Sequence, residues 1–307
     1  MGTKVAAVIV TFNRLEKLKT VLASVERQER TPDLLVIVDN ASTDGTAEFL
    51  ATYSCAVEVA LVTLSKNTGG AGGFSTGMQK AYELGADYIW IMDDDGYPEA
   101  SALGNLLHGY EAAIDELGPD VPFACSVVHF VDGTICEMNN PVPTWDWGRL
   151  LAKGQNAVTV SRCSFVSVLL PRWVLETYGL PYKEYFIWFD DAEYTERITK
   201  ICPGVQVLTS VVVHDMGVNK GVNFEMINEG NAWKFAYGIR NEASYRFHHV
   251  NKASYLIFAA SVERQMKRGK VAPKLRLKMT KQLLEGARFN PEIDYPQSTH
   301  HRPGTAG

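Results

Sequence analysis

Three consecutive carboxylates follow a run of strand-forming residues and pose the first question of chemistry. Residues 88–92 form a short apolar segment, and Asp93, Asp94 and Asp95 come directly after it. Alternate residues of an extended chain point to the same side, so Asp93 and Asp95 can face one ion while Asp94 faces elsewhere. Mg²⁺ and Mn²⁺ take oxygen ligands of this kind and bridge to substrate phosphates. The alternative is an acidic turn that caps a helix beginning near Pro98, because helix N-termini favour acids.

A second group of acids, Asp190, Asp191 and Glu193, opens a predicted helix over residues 190–200. A capping box with Asp190 as the N-cap and Glu193 as its partner would explain those two acids but not Asp191. Aromatic ring faces cover the apolar side of a sugar, and carboxylates accept its hydroxyl hydrogens. The acids favour a sugar-binding site because four aromatic residues lie just upstream, namely Tyr185, Phe186, Trp188 and Phe189.

Short apolar runs alternate with amphipathic segments in the first hundred residues. The runs that predict strands are 5–10, 33–40, 57–64 and 87–92, and the segments that predict helices are 15–28, 42–50 and 73–86. This alternation predicts a mostly parallel sheet covered by helices on both faces. Ligands of such sheets bind beyond the carboxyl ends of the strands. The chain places polar or glycine-rich residues after all four strands, namely Thr11, Phe12, Asn13, Arg14, Asp39, Asn40, Lys66, Asn67 and the acid triplet.

His214 follows a predicted strand over residues 205–213 and precedes Asp215. A lone histidine is more often a structural residue than a ligand. At a strand end beside an acid, however, a neutral imidazole can complete the protein ligands of a divalent ion.

The glycine-rich segment "NTGGAGGF" occupies residues 67–74, before a predicted helix. Its backbone can approach phosphates closely, and a helix N-terminus favours anions. The segment matches neither the Walker loop, since no Gly-Lys-Ser/Thr follows, nor the dinucleotide fingerprint. A tight turn between a strand and a helix is the alternative explanation.

The second half of the chain is less regular. The predicted strands are 123–130, 164–170 and 205–213, and the predicted helices are 99–116, 190–200 and 227–247. Residues 132–157 resemble a long loop in which no core face is evident, so we expect Trp145 and Trp147 to stack on a glycan acceptor, together with Trp188. Residues 252–288 predict two helices that are separated near residues 269–273.

Length, composition and charge narrow the class of protein. The 307 residues are 46% hydrophobic and 21% charged, which is typical of a globular protein with one large domain. Five cysteines without CxxC spacing predict no disulfide framework and no zinc site, so we expect a reducing cytoplasm. We expect no transmembrane helix, and no signal peptide, because residues 5–10 are too short an apolar run.

Charge is distributed unevenly. Residues 252–288 hold ten Lys/Arg and two acids, a net charge of +8, and the whole-chain charge of −5 therefore leaves −13 elsewhere. This split predicts an anionic partner, and no nucleic-acid motif accompanies it. We expect an anionic membrane surface, on the inner face of the cell membrane. The alternative is that these helices pack on the acidic domain or on a second subunit.

Five segments stand in the order seen in one enzyme family: "VIVTFNR", "VDNASTDGT", "NTGGAGGF", "IMDDDG" and "WFDDAEYTERI…VVVHDMG". Over roughly residues 4–250 the chain resembles the inverting glycosyltransferases of family 2, which have the GT-A fold. It is most similar to bacterial galactofuranosyltransferases, with rhamnosyltransferases next. The resemblance implies a GT-A domain over 1–250, a basic helical extension over 251–288 and a flexible tail over 289–307.

The resemblance also implies roles for individual residues. Asp93, Asp95 and His214 match the ligands of a Mn²⁺ or Mg²⁺ ion, and Asp191 matches the catalytic base. Asp190 lies beside it, on the side of the acceptor. Thr11 and Asp39 match positions that contact uridine, and Asn67 and Gly72 lie in the donor loop. The same rim adds further donor-binding candidates, namely Phe12, Asn13, Arg14 and Asp94.

The implied reaction moves galactofuranose from UDP-galactofuranose to a hydroxyl of a cell-surface glycan or a lipid-linked acceptor. The chain lacks the long N-terminal β-rich domain of the polymerising relatives, so we expect a single addition. A dTDP-rhamnose-dependent enzyme is the nearest alternative. A sugar nucleotidyltransferase is disfavoured, because "VTFNRLEK" stands where those enzymes carry a basic glycine-rich signature. An inactive glycan-binding module is disfavoured by the two acid clusters and His214.

Overall fold

A computed structural model describes residues 2–297 of the chain. One mixed sheet runs through it, and its order is β3-β2-β1-β4-β9-β6-β10-β8-β7, with β5 paired to the end of β10. Its ten strands are β1 (Val5–Thr11), β2 (Leu34–Asp39), β3 (Glu58–Thr63), β4 (Tyr88–Asp93), β5 (Gly96–Pro98), β6 (Ala124–Phe130), β7 (Val142–Pro143), β8 (Ala157–Arg162), β9 (Val168–Pro171) and β10 (Gly204–His214).

The predicted parallel sheet is confirmed for its first half. Strands β3, β2, β1 and β4 are neighbours and run parallel, as do β6 and β10. Strand β9 enters between β4 and β6 and is antiparallel to both, and β8 and β5 are antiparallel to β10. Two antiparallel pairings separate β4 from β6, so β6 and its parallel neighbour β10 run in the same direction as β4. The carboxyl ends of β1, β2, β4 and β10 therefore lie on one rim.

Helices cover the sheet on both faces. Every residue of β1 is buried, and its alternate side chains enter two different core clusters. Ile9 packs with α1 and α4, whereas Val8 packs with α3 and α6. The helices of the described residues are α1 (Leu15–Glu26), α2 (Thr46–Thr52), α3 (Gly69–Glu83), α4 (Ala102–Leu117), α5 (Arg172–Tyr178), α6 (Asp190–Ile198), α7 (Ala232–Tyr245), α8 (Lys252–Arg268) and α9 (Pro273–Gly286).

The glycine-rich segment differs from its predicted form, because most of it is helical. Helix α3 begins at Gly69 rather than at Gly73. Cβ atoms added to Gly73 and Gly77 would lie 2.3 Å from a side-chain carbon of Val10 and 2.4 Å from one of Val8. These glycines therefore let α3 lie directly on β1, and this packing offsets their poor helix propensity.

Other element boundaries also shift. The helix predicted over 42–50 begins at Thr46, because Ser42 and Asp44 accept hydrogen bonds from the backbone N–H groups of Asn13 and Leu15, both 3.0 Å long. The strand predicted over 164–170 is Val168–Pro171 and leads directly into α5. Four elements were not predicted, namely β5, β7, β8 and α5.

Helices α7, α8 and α9 build a third core cluster of their own. Ile239, Phe258, Val262, Met279 and Leu283 are buried within it. The division of the chain at residue 250 stays a prediction. In the segment beyond α9, the Asp294 carbonyl accepts a 2.8 Å hydrogen bond from Leu180 N–H. The rest of the predicted tail, residues 298–307, lies outside the described residues.

No helix between residues 2 and 297 combines the length and the apolar character that a bilayer span requires.

The close approach of α3 to β1 predicts a position-specific effect of alanine. Gly77→Ala forces a methyl group against Val8 and Val38 in a packed core, and we expect it to lower the free energy of unfolding by about 1–3 kcal/mol. Gly70→Ala is the matched control, since nothing lies within 4 Å of its added Cβ and alanine is the better helix former. Urea unfolding measures both variants. Equal stability of the two would show that α3 does not need the glycine contact.

Candidate active site

Two carboxylates and one imidazole converge on the rim. Asp93 ends β4, Asp95 lies in the turn before β5, and His214 ends β10. Ligand atoms of the three residues lie within 4.8 Å of one another. The turn is held in place because Gly96 pairs with His214 and because the Asp95 carbonyl accepts a 2.9 Å hydrogen bond from Asp215 N–H. Strand pairing thus brings together residues that are 119 positions apart.

Cations from α1 and its preceding loop surround this group. Arg14 donates to Asp95 at 2.7 Å and to Asp94 at 3.0 Å. Thr11 donates its hydroxyl hydrogen to Asp94 at 2.8 Å. The Lys17 ammonium lies 3.5 Å from Asp95 and also donates to the Asp215 carbonyl. Asp94 and Asp95 are therefore neutralised by protein groups, and Lys17 is a contributor that the sequence analysis did not identify.

Asp93 is the carboxylate that the protein leaves without such partners. Its side chain accepts no hydrogen bond from any residue in the range 2–297. Burial, and then the charge of Asp95, raise the pKa of Asp93 to about 8. A cation beside Asp93 would stabilise the charged form of its carboxylate. Asp93, Asp95 and His214 together offer ligand atoms that a divalent cation accepts.

The tautomer of His214 fits the same interpretation. Its Nδ1 lies 2.8 Å from the side-chain oxygen of Asn139, so Nδ1 carries the hydrogen and donates. Its Nε2 then faces Asp95 Oδ1 at 3.1 Å. Two lone-pair-bearing atoms at this distance require a proton or a metal ion between them. His214 thus has Nδ1 fixed by a hydrogen bond and Nε2 free to bind a metal ion. Together with the two carboxylates it forms a ligand set that suits a divalent cation.

Asn139 was not predicted as a site residue. It ends a 3-10 turn (Glu137–Asn139) inside the segment predicted as a loop, and its side chain is almost fully buried. Its amide nitrogen donates to Ser164 at 2.8 Å, which fixes the oxygen towards His214. No periodicity links Asn139 to a histidine 75 residues away, so only the fold reveals the pair.

The donor-side residues are placed around the start of α3. Asn40, also buried, donates to the Gly69 carbonyl at 2.9 Å and accepts from Thr68 N–H at 2.8 Å. Asn67 accepts from Gly69 N–H at 2.7 Å. Gly69 has φ +72°, and a Cβ there would lie 1.9 Å from the Phe186 carbonyl oxygen. Gly72 is buried beneath Thr68.

The other predicted donor-side residues lie on the rim or just below it. Asp39 is buried and accepts from Ser42 N–H at 2.9 Å. Phe12, Asn13 and Arg14 are exposed where β1 ends. The structure thus brings these residues, Thr11 and the acid triplet to one edge.

The alternative explanation of Asp190 and Glu193, a capping box, does not match the structure. Helix α6 begins at Asp190, and its N-cap is Phe189 with φ +70° and no side-chain cap. Glu193 instead accepts from Arg197 at 2.9 Å within the core. The left-handed conformation of Phe189 prevents the extended N-cap geometry that a capping box requires.

Asp190, which is buried, and the adjacent Asp191, which is half-buried, form an acidic pair that does not cap the helix. Burial, and then the charge of Asp191, raise the pKa of Asp190 to about 8. Burial also raises the pKa of Asp191, whose Oδ1 accepts a 2.7 Å hydrogen bond from Ala192 N–H. Asp190 therefore holds a proton near neutral pH.

The aromatic segment before these acids is strained. Phe186, Trp188 and Phe189 all have positive φ, between 65° and 70°. Asn241, fully buried on α7, donates to the carbonyls of Tyr185 at 2.9 Å and Trp188 at 2.8 Å and so holds the segment. Strain of this kind persists only where the surroundings enforce it, and it concentrates at functional sites. Asn241, like Lys17 and Asn139, was not predicted as a site residue.

The three tryptophans predicted for the acceptor are not brought together. Trp188 is half-buried and packs edge-to-face on Phe235, with ring centroids 4.9 Å apart. Trp145 is 94% exposed and Trp147 is 49% exposed. The Trp147 carbonyl accepts from Thr159, which pairs with a residue nine positions before His214 on β10. Trp145 and Trp147 therefore lie beside the opposite end of that strand and not on the rim.

Comparison with known families identifies the fold and the class of enzyme. The family described as glycosyl transferase family 2 matches residues 6–167, more than half of the chain. The chain belongs to this family. It therefore carries a glycosyltransferase domain, and the alternative of a sugar nucleotidyltransferase is set aside.

Individual relatives agree with this assignment. Galactofuranosyltransferase GlfT1 of Mycolicibacterium smegmatis is 40% identical over 119 residues, which span 38% of this chain and 39% of the relative. The match thus covers well under half the length of that protein. GlfT1 of Mycobacterium tuberculosis is 39% identical over 111 residues, 35% of this chain and 36% of the relative.

Solved structures confirm the GT-A-like fold of this family 2 glycosyltransferase. S. aureus TarS 1–349, in complex with UDP-GlcNAc, superposes with a TM-score of 0.58 at 15% identity, covering 93% of this chain and 82% of that one. The mannosyltransferase PcManGT of Pyrobaculum calidifontis, in complex with GDP-Man and Mn²⁺, gives 0.54 at 16% identity, covering 94% and 87%. At these identities the likeness concerns the fold alone.

The hydrogen bond from His214 to Asn139 predicts a loss of metal affinity on mutation. Asn139→Ala removes the acceptor that fixes the imidazole, and we expect Mn²⁺ affinity to fall about 10–100-fold, as measured by electron paramagnetic resonance titration. The neighbouring Asn140→Ala is the control, because Asn140 is exposed. Unchanged affinity in Asn139→Ala, with folding intact, would remove Asn139 from the site.

Proposed function

We propose that this glycosyltransferase moves galactofuranose from UDP-galactofuranose, with inversion, to a hydroxyl of a cell-surface glycan or a lipid-linked acceptor. The observation that carries this proposal is the convergence of Asp93, Asp95 and His214 on the rim. The galactofuranosyltransferases that match part of the chain support the choice of sugar. These matches cover well under half of each relative, so the acceptor and the single addition of one sugar are part of the proposal.

Asp93, Asp95 and His214 would hold the Mn²⁺ or Mg²⁺ ion. When bound, such an ion neutralises charge on a diphosphate leaving group. Arg14 already pairs with both Asp94 and Asp95, and Lys17 lies 3.5 Å from Asp95. Arg14 is also 46% exposed at the side chain, so its outer edge is free to contact a donor phosphate.

Donor recognition is proposed for the rim residues around β1 and the start of α3. Thr11 and Asp39 would position the uridine, with Phe12 as the exposed ring nearest to them. Asn67 and Gly72 shape the turn at the helix N-terminus, where backbone N–H groups attract phosphate. Asn13 and Asp94 complete the set, Asn13 by accepting a 2.6 Å hydrogen bond from Thr43 N–H that holds the loop after β1.

Asp191 is the proposed base. Its carboxylate would take the proton of the acceptor hydroxyl as this hydroxyl attacks the anomeric carbon. Asp190, which holds a proton near neutral pH, is suited to donate a hydrogen bond to the acceptor, and Trp188 offers it a half-buried ring. Trp145 and Trp147 would contact only an acceptor long enough to reach the far end of β10.

The base assignment predicts unequal effects of two isosteric variants. We expect Asp191→Asn to lower the transfer rate about 10²–10⁴-fold, because an amide cannot accept the proton. The dissociation constant for UDP, measured by calorimetry, should stay close to the wild-type value. Asp190→Asn is the matched control and should lose much less activity. A larger loss in Asp190→Asn, with the fold intact, would reverse the two roles.

The donor assignment is tested with a panel of nucleotide sugars. In the presence of Mn²⁺ we expect UDP-galactofuranose to be hydrolysed fastest, ahead of dTDP-rhamnose, UDP-GlcNAc and GDP-mannose, and excess EDTA should stop the reaction. Faster turnover of dTDP-rhamnose would make the chain a rhamnosyltransferase. Full activity in EDTA would contradict the metal site.

For location, we propose the cytoplasm, with peripheral attachment to the inner face of the cell membrane.

A further inference from the structure

Helices α8 and α9 each have one buried and one exposed side. Their inner sides pack on the cluster that contains Ile239 of α7. The inner residues are Phe258, Val262, Met266, Leu275, Met279 and Leu283. The alternative that residues 252–288 pack on the rest of the chain thus holds for this side, and these apolar residues are not available to another partner.

The outer side carries four aliphatic residues that the protein does not cover. Leu256, Ile257, Leu277 and Leu284 are between 58% and 71% exposed. On α9 they recur with the exposed cations at intervals of three or four residues, and on α8 Arg264 follows Ile257 by seven residues, or two turns, so each helix presents a single mixed face. We call the outer side of α8 and α9, with Lys270 between them, the basic face.

The charge of the basic face is largely uncompensated. Arg276 and Lys267 pair with Glu263, and Arg268 lies 3.4 Å from Glu225. Seven further cations have no acidic partner within residues 2–297, and all are exposed: Lys252, Arg264, Lys270, Lys274, Lys278, Lys281 and Arg288. Glu285 is the one acid exposed among them.

We propose that the basic face docks on an anionic lipid bilayer, with the four aliphatic side chains in the interface and the cations among the headgroups. Basic amphipathic helices bind membranes in this way. A second copy of the chain presenting the same face would bring like charges together, which disfavours a symmetric dimer through this surface. An anionic bilayer matches both features of the face, since its apolar interior accepts the exposed aliphatic side chains and its headgroups attract the unpaired cations.

Co-sedimentation of the full chain with vesicles tests the proposal. We expect binding to phosphatidylglycerol–phosphatidylcholine vesicles, weakening as salt rises, and little binding to phosphatidylcholine alone. Replacing Arg264, Lys274, Lys278 and Lys281 by Gln should lower the partition coefficient roughly 100-fold or more. A control that replaces four exposed cations elsewhere by Gln, at Lys19, Arg27, Lys153 and Lys200, should bind almost as the wild type.

A second variant separates insertion from simple charge attraction. Replacing Leu256, Ile257, Leu277 and Leu284 by Ser should also weaken vesicle binding, without lowering the thermal midpoint of unfolding, since these side chains are exposed. Equal binding to neutral vesicles, or equal losses in the charge variant and its control, would overturn the proposal. So would a dimer that the Ser variant dissociates, seen by ultracentrifugation without vesicle binding. No sugar transfer enters the assay, so its outcome is independent of the proposed reaction.

Discussion

Repulsion between carboxylates at the end of β4 is the constraint on which the site depends. Three acids follow one another where a parallel strand ends, and two of them are buried. The charges of Asp94 and Asp95 are offset by Arg14 and Lys17 and by a hydrogen bond from Thr11. His214 Nε2 lies against Asp95 from β10. Asp93 receives no comparable partner. The arrangement therefore lacks a positively charged group beside Asp93, and the proposed divalent ion would provide one.

Buried asparagines hold the parts of the site in register. Asn139 orients His214, Asn40 holds the start of α3, and Asn241 holds the strained segment before Asp190. That segment also contacts the other half of the site, because the Phe186 carbonyl accepts a hydrogen bond from Ala71 N–H on α3. An amide side chain suits this task, since it both donates and accepts without adding charge to an acidic site. The proposed donor and acceptor sides are thus linked through the backbone.

The sequence predicted the features that depend on local pattern. Strand ends are readable from apolar runs, so Asp93, Asp95 and His214 were found as candidates, and the topology then brought them together. The capping box at Asp190 was a reasonable alternative from the sequence, because nothing local signals the positive φ of Phe189 that excludes it. Asn139 and Asn241 were missed because their partners are distant in the chain and asparagine has no diagnostic spacing. Trp145 and Trp147 were assigned to the acceptor before the register of β8 placed them at the far end of the sheet.

The central claim is that Asp93, Asp95 and His214 bind one divalent cation that also contacts the donor diphosphate. A crystal structure with Mn²⁺ and UDP, with an anomalous difference map that locates manganese, tests it most directly. We predict one peak about 2.0–2.3 Å from a carboxylate oxygen of Asp93, a carboxylate oxygen of Asp95 and His214 Nε2, with a diphosphate oxygen in the same coordination shell. A peak at Asp190 and Asp191 instead, or UDP bound with no peak between Asp93 and His214, would contradict the account.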